Sequence, residues 1–239
     1  MKIKKLFIAL ILGELIISIF SCTSKNVSEA NAVKEPQIDY TGKTTLTYIG
    51  HASVKIVAKD GSVLYIDPNY YNGDYSDRAD VILVTHQHED HKPCAKVKLN
   101  EGGKKINNFD ILVDGEYKTY EIGPFTIEAV PAGGNPNHDV KYCVGYLVSV
   151  DGFTIYHAGD TSKIEQMNAL ASRQIDYAMY PIDGIFNMDA VEATEVADIV
   201  GAKYNIPIHE FDTNGSKKSD NFTPQGRLVL EYGQTIVLE

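Results

Sequence analysis

Val81-Ile82-Leu83-Val84-Thr85-His86-Gln87-His88-Glu89-Asp90-His91 joins four consecutive apolar residues to three imidazoles and two carboxylates. The apolar run is short and unbroken, which suits a strand buried on both faces. The polar residues then hang from its C-terminal end, where their desolvation needs an offset, and a divalent cation is the usual one. His86 and His88 are two apart and can face the same way in an extended backbone, while Asp90 and His91 follow where the chain must bend. One segment can thus serve two adjacent cations. Two metals held by imidazole and carboxylate clamp a water, lower its pKa towards neutrality and leave positions for a substrate oxygen, which is hydrolytic chemistry.

Upstream of this stretch, Thr45 to Ile49, Ser53 to Ala58 and Ser62 to Ile66 are rich in β-branched and aromatic residues, and Asp60-Gly61 marks a hairpin between the second and third. Downstream, strands are expected at Ile111 to Val113, Tyr117 to Tyr120, Phe125 to Val130, Val144 to Val148 and Thr154 to His157, with a second Asp-Gly turn at Asp151-Gly152. Ile164, Met167 and Leu170 suggest a helix over Ser162 to Ala171, capped by Thr161 or Ser162. A second helix opens at Asp189, with Glu192 three residues on, carries the stripe Ala190, Ala193, Val196, Ala197 and Val200, and ends near Gly201. Tyr204 to Ile208 returns to strand and places His209 at its end. Strands followed by helix, twice over, suggest two similar halves. Little between Lys92 and Phe109 could form a helix after the histidine motif, which suggests an open pocket.

Lys2, Lys4 and Lys5 precede an apolar run from Leu6 to Phe20, interrupted by Glu14 and followed by Ser21-Cys22. This reads as an export signal too short to span a bilayer comfortably. Ile19-Phe20-Ser21-Cys22 resembles the lipobox of bacterial lipoproteins, which implies a signal over residues 1–21, a lipid on Cys22 and a place in the cell envelope. Residues 22–43 are polar and aperiodic and read as a tether, leaving 44–239 as one domain. The 239 residues are 44% hydrophobic, ordinary for a chain with a full core, and the formal charge of -10 argues against nucleic-acid binding. Of the three cysteines, Cys94 and Cys143 lie in the domain without metal-ligand spacing and read as isolated thiols.

The histidine motif after one strand, Ala158-Gly159-Asp160-Thr161 after another and His209 after a third resemble the metallo-β-lactamase superfamily over nearly the whole domain. Tyr48-Ile49-Gly50-His51-Ala52-Ser53, Ile66-Asp67-Pro68, Ile155-Tyr156-His157-Ala158-Gly159-Asp160-Thr161 and Pro181-Ile182-Asp183-Gly184 further resemble its ascorbate-6-phosphate-lactonase-like branch. The resemblance implies an α/β fold, an αββα four-layer sandwich with the site at one edge. It also implies that His86, His88 and His138 bind one metal, that Asp90, His91 and His209 bind a second, and that Asp160 bridges them. Asp67 would orient a ligand imidazole from behind. His51 and Tyr70 are candidates for substrate contact, and His157 reads as a core histidine. Zn is the first candidate metal, with Mn or Fe as alternatives. The expected activity is hydrolysis of an ester, a lactone first, with Asp90 or Asp160 taking the proton. A phosphodiester, such as a phospholipid, is the second reading, and a non-catalytic metal-binding envelope lipoprotein is a third, of another class. His88 stands where the superfamily's di-iron oxidoreductases carry Glu, which favours hydrolysis.

Overall fold

Alternating and continuous apolar runs of this kind must be buried against each other, and a computed structural model, describing residues 39–210 and 218–239, shows how. The strands are β1 (Thr45–Gly50), β2 (Ser53–Val57), β3 (Val63–Ile66), β4 (Ala79–Val84), β5 (Leu99–Asn107), β6 (Leu112–Val113), β7 (Glu116–Tyr117), β8 (Thr119–Ile122), β9 (Phe125–Pro131), β10 (Val144–Val150), β11 (Phe153–His157), β12 (Tyr177–Pro181), β13 (Tyr204–Ile208) and β14 (Gln234–Val237). The helices are α1 (Asn108–Ile111) and α2 (Ala190–Val200), with 3₁₀ turns at Glu165–Ser172 and Lys218–Asn221. The export signal, Cys22 and most of the tether lie outside the described residues.

Two six-stranded sheets form, in the orders β14-β1-β2-β3-β4-β5 and β13-β12-β11-β10-β9-β8, while β6 and β7 pair separately. Leu46, Ile56, Leu64 and Leu83 of the first sheet pack against Ile127, Tyr146, Val148 and Met179 of the second, all fully buried in one shared core. Both Asp-Gly turns form as hairpins. At Asp151 and Gly152 φ is positive at both positions, as a two-residue hairpin turn demands.

The outer face of the second sheet lies under α2 and the 3₁₀ turn, in a cluster that includes Leu147, Ala178, Tyr180, Ala193 and Val196. Asp189 caps α2 by accepting from the backbone N–H groups of Val191 and Glu192, and Gly201 ends it in the left-handed conformation. All five residues of the expected stripe are buried. The outer face of the first sheet is covered differently, by the long segment between β3 and β5, with Tyr75 buried and Tyr70, Cys94, Val97 and Leu99 packed against it. The fold is therefore the expected α/β sandwich, with one outer layer built largely of loop.

Three local expectations need correction, and one strand was not anticipated. Residues 165–172 wind as a 3₁₀ helix, capped by neither Thr161 nor Ser162. Ile164, Met167 and Leu170 are spaced by three, which matches the 3₁₀ repeat and which an α-helical face also accepts over so short a run. Ile111 ends a short helix and only Leu112–Val113 is strand, because Asn107 caps α1 in a reciprocal box with Asp110. The span Tyr117 to Tyr120 divides between β7, which pairs with β6, and β8, which pairs with β9. Leu99–Asn107 is a nine-residue strand at the sheet edge, largely exposed and pairing only with β4. Its lysines and glycines suit an edge that must not recruit another chain. A Cβ on Gly103 would stand 2.9 Å from the Ala79 carbonyl oxygen, so glycine permits the register shift there.

Candidate metal centre

Parallel pairing of β3 with β4 and of β11 with β12 and β13 aims several strand C-termini at one edge. Asp67 follows β3, Thr85 to His91 follow β4, Asp160 follows β11, Asp183 follows β12 and His209 follows β13. Gly159 admits the turn into Asp160, with φ of 64° and its Cα so close to β10 that a Cβ would meet the Val144 carbonyl oxygen at 2.8 Å. His51, Asp67 and His209 also hold positive φ, at 56°, 44° and 54°. None is a glycine. Such conformations persist where surrounding contacts over-determine them, and they cluster at functional sites.

Six of the chain's seven histidines converge here. His86, His88 and His138 present ligand atoms that lie within 4.8 Å of one another, and so do those of His51, Asp90, His91 and His209. Asp160 stands between the groups. One oxygen is 3.3 Å from His138 Nε2 and 3.4 Å from His209 Nε2, and the other is 3.3 Å from His91 Nε2. Asp90 Oδ2 lies 3.0 Å from His51 Nε2, 3.7 Å from His91 Nε2 and 3.8 Å from His209 Nε2. All seven residues expected as ligands are thus brought together, His138 included.

Hydrogen bonds behind the cluster fix its imidazoles. Asp67, fully buried, accepts at one oxygen from the Thr85 backbone N–H, and at the other from the Thr85 hydroxyl and from His91 Nδ1 at 2.7 Å. The Thr85 oxygen is also 3.0 Å from His86 Nδ1. With those far nitrogens engaged, His86 and His91 turn Nε2 into the cluster, and His86 Nε2 is buried with no hydrogen-bond partner among the described residues. Burial of an unpaired imidazole nitrogen costs free energy unless something binds it. Nitrogen and oxygen donors pre-oriented in two groups about a shared carboxylate fit divalent metal.

The electrostatics of the protein alone agree. Burial pushes His86 down to about 3, with neighbouring His91 adding to the effect, so its ring is neutral at neutral pH. Burial also pulls on His209, but Asp160 with Asp183 and Asp90 outweighs it and lifts the pKa to about 9. Asp160 is held well below the usual carboxylate range, since His91 and His209 overcome its burial. Without metal, the second group therefore holds its excess negative charge with protons on imidazole.

Other candidates fall nearby or away. His51 joins the second group, and its ring centroid is 3.8 Å from that of His209. Tyr70 packs its ring over Gly50 and between Tyr71 and Tyr232. It is not among the residues lining the cavity of about 220 Å³ beside the cluster, which are His88, Asp90, Asn137, His138, Asp160, Phe186 and His209. His157 is a buried structural residue, bonded through Nε2 to the Ala52 carbonyl and through Nδ1 to the Gly159 N–H. Cys94 and Cys143 are free, and burial pushes the Cys143 thiol up to about 12. Sequence reasoning assigned no role to Asp183, whose carboxylate lies 3.1 Å from His209 Nδ1. A carboxylate just past a strand end, like Asp67 and Asp160, was the available signal.

Residues 45–209 match the family model described as a β-lactamase superfamily domain. A UPF0173 metal-dependent hydrolase of Carboxydothermus hydrogenoformans is 32% identical over 227 residues, covering 81% of this chain and 99% of the relative. Another, of Myxococcus xanthus, is 30% identical over 74% of each chain. The crystal structure of a metal-dependent hydrolase from Parabacteroides distasonis superposes with a TM-score of 0.67 at 28% identity, over 80% of this chain and 94% of that one. The chain belongs to the UPF0173 metal-dependent hydrolase family of the β-lactamase superfamily.

Proposed function

We propose that this protein is a dinuclear metallohydrolase that cleaves an ester, a lactone first. The observation that carries this reading is the place of Asp160, whose two oxygens face histidines of both groups while His86 Nε2 waits unpaired beside it. His86, His88 and His138 would hold one cation, Asp90, His91 and His209 the other, and Asp160 both. Bound there, the pair would supply Lewis acidity towards a carbonyl oxygen and a water of lowered pKa.

The chain's own groups divide the remaining work. Asp67 and Thr85 hold His91 and His86 in one orientation, which removes reorganisation from the reaction. Both carboxylates face three histidines, but Asp160 is buried whereas the Asp90 side chain is 51% exposed, with its shortest contact to His51. Asp90 is therefore the better-placed proton acceptor, with His51 beside it. Neutral Asn137 and apolar Phe186 complete the described cavity wall, which suits an uncharged ester better than a phosphate group. The leader sequence supports a location in the cell envelope, anchored by a lipid on Cys22.

A panel of lactones against bis(nitrophenyl) phosphate, with metal content measured on the same preparation, tests the reading. Lactone turnover that depends on metal is expected. Turnover of the phosphodiester alone would move the assignment to the second reading, and a metal-loaded protein inert to both would favour a binding lipoprotein.

A further inference from the structure

Between β12 and α2 the chain makes a tight loop, Asp183-Gly184-Ile185-Phe186-Asn187-Met188, whose tip carries two exposed apolar side chains. Ile185 is 60% and Phe186 46% exposed. Exposed apolar residues on a loose loop would mean little, but this loop is heavily tied. One Asp183 oxygen accepts the backbone N–H groups of Ile185 and Phe186 at 2.8 and 2.7 Å, and the other accepts the Asn187 side chain at 2.7 Å. Gly184 N–H donates to the Met188 carbonyl, and Met188 N–H to the Thr161 carbonyl next to Asp160. The Asn135 side chain donates to the Phe186 carbonyl from the loop that carries His138, and Lys218 donates to the Asp183 carbonyl.

A loop this constrained is being aimed. The carboxylate that organises it, 1% exposed, is the same one that lies 3.1 Å from His209 Nδ1, and Phe186 lines the cavity beside His138 and His209. The geometry points to Asp183 as a positioning residue that fixes His209 and the 184–188 loop together, and to Phe186 as the apolar wall that takes the hydrocarbon part of the substrate. The substrate class that follows is an ester carrying an alkyl chain, an assignment that rests on the ester reading above. One carboxylate would then couple metal geometry to substrate placement, as pre-organised sites require. A flexible or exposed aromatic without such ties would be ordinary surface.

The experiment uses the full chain and two variants, Phe186→Ala and Asp183→Asn, with zinc content and γ-lactones of short and long alkyl side chains as probes. Phe186→Ala is expected to bind zinc as the wild type does, and to raise KM for the long-chain lactone roughly tenfold relative to the short-chain one. Asp183→Asn keeps an acceptor for the Ile185 and Phe186 N–H groups but cannot accept from His209, so zinc affinity at one position should fall about 10- to 100-fold. With zinc in excess, its alkyl preference should remain. If that variant does not fold, Asn187→Ala gives the converse split, with wild-type zinc content and a weakened alkyl preference.

An unchanged chain-length profile in Phe186→Ala overturns the wall, and wild-type zinc affinity in Asp183→Asn overturns the positioning role. If the wild type cleaves alkyl phosphodiesters and no lactone, the ester reading fails by itself, and the same comparison on the phosphodiester series still decides Phe186. If it cleaves neither, the wall has no substrate and the Phe186 assignment falls, while zinc binding still decides Asp183.

Discussion

Residues 85–91 and the strand ends that face them build one site by opposite means. The first is a single turn that delivers His86, His88, Asp90 and His91 from consecutive chain, so its geometry is largely local. The second, with His138, Asp160, Asp183 and His209, draws on three connections and the loop after β9, and exists only once the strands of the second sheet have paired. Local supply makes the first region easy to recognise, but not self-sufficient: its His91 is oriented by Asp67, from the end of another strand. The lesson is that spacing in sequence supplies ligands, whereas the sheet edge supplies their convergence.

The sharpest way to break this contrast is to remove the carboxylate whose oxygens face both groups. Asp160→Ala should lower turnover on the order of a thousandfold, the scale for a preorganised charged group at the reacting centre. It should also cost more metal than His86→Ala, which touches one group. Equal loss in the two variants, by metal analysis and kinetics, would mean that Asp160 does not link them.

A second test exploits the protons that the distant region holds without metal. His209 is raised to about 9, above its unfolded value near 6.5, so its charged form stabilises the metal-free fold. That contribution is fully present below about pH 6.5 and is lost as pH rises through about 9, amounting to on the order of 3 kcal/mol. Thermal unfolding of metal-free protein should therefore show Tm falling over this window, and the metal-loaded protein should not follow it. A flat profile for the metal-free protein would show that His209 is not held charged by Asp160 and its neighbours.

Asp67→Ala asks how far the local turn depends on its long-range support. It leaves every proposed ligand in place but removes the acceptor for His91 Nδ1 and the Thr85 N–H, so metal affinity should fall roughly 10- to 100-fold. Unaltered affinity would make the turn self-sufficient. The smallest expected effect on the site comes from Val196→Ala, on α2 over the outer face of the second sheet and remote from the cluster. It should lower stability by roughly 2 kcal/mol in denaturant unfolding, with metal content unchanged.

What was legible in the sequence follows the same division. The β4 run and its histidines, the Asp-Gly hairpins and the α2 stripe all express their structure within a dozen residues. β5 was hidden because an exposed edge strand needs no apolar alternation, and its glycines serve the bulge against Ala79. The 3₁₀ turn was misread because a spacing of three fits both helical repeats until packing chooses. His209 could be proposed from its strand end; Asp183 also follows a strand end, but its particular role was not readable, since its partner lies after a neighbouring strand and its loop's bonds exist only in the fold. His51 likewise reaches Asp90 and His209 through a left-handed backbone position that spacing does not reveal.

Metal stoichiometry is the most direct test of the central claim that these residues converge around a cation pair. Purified full-length protein supplied with zinc and analysed by mass spectrometry should carry about two ions per chain, falling to one or none in Asp160→Ala. A wild-type protein that takes up no metal, or one whose content is indifferent to Asp160, would contradict it.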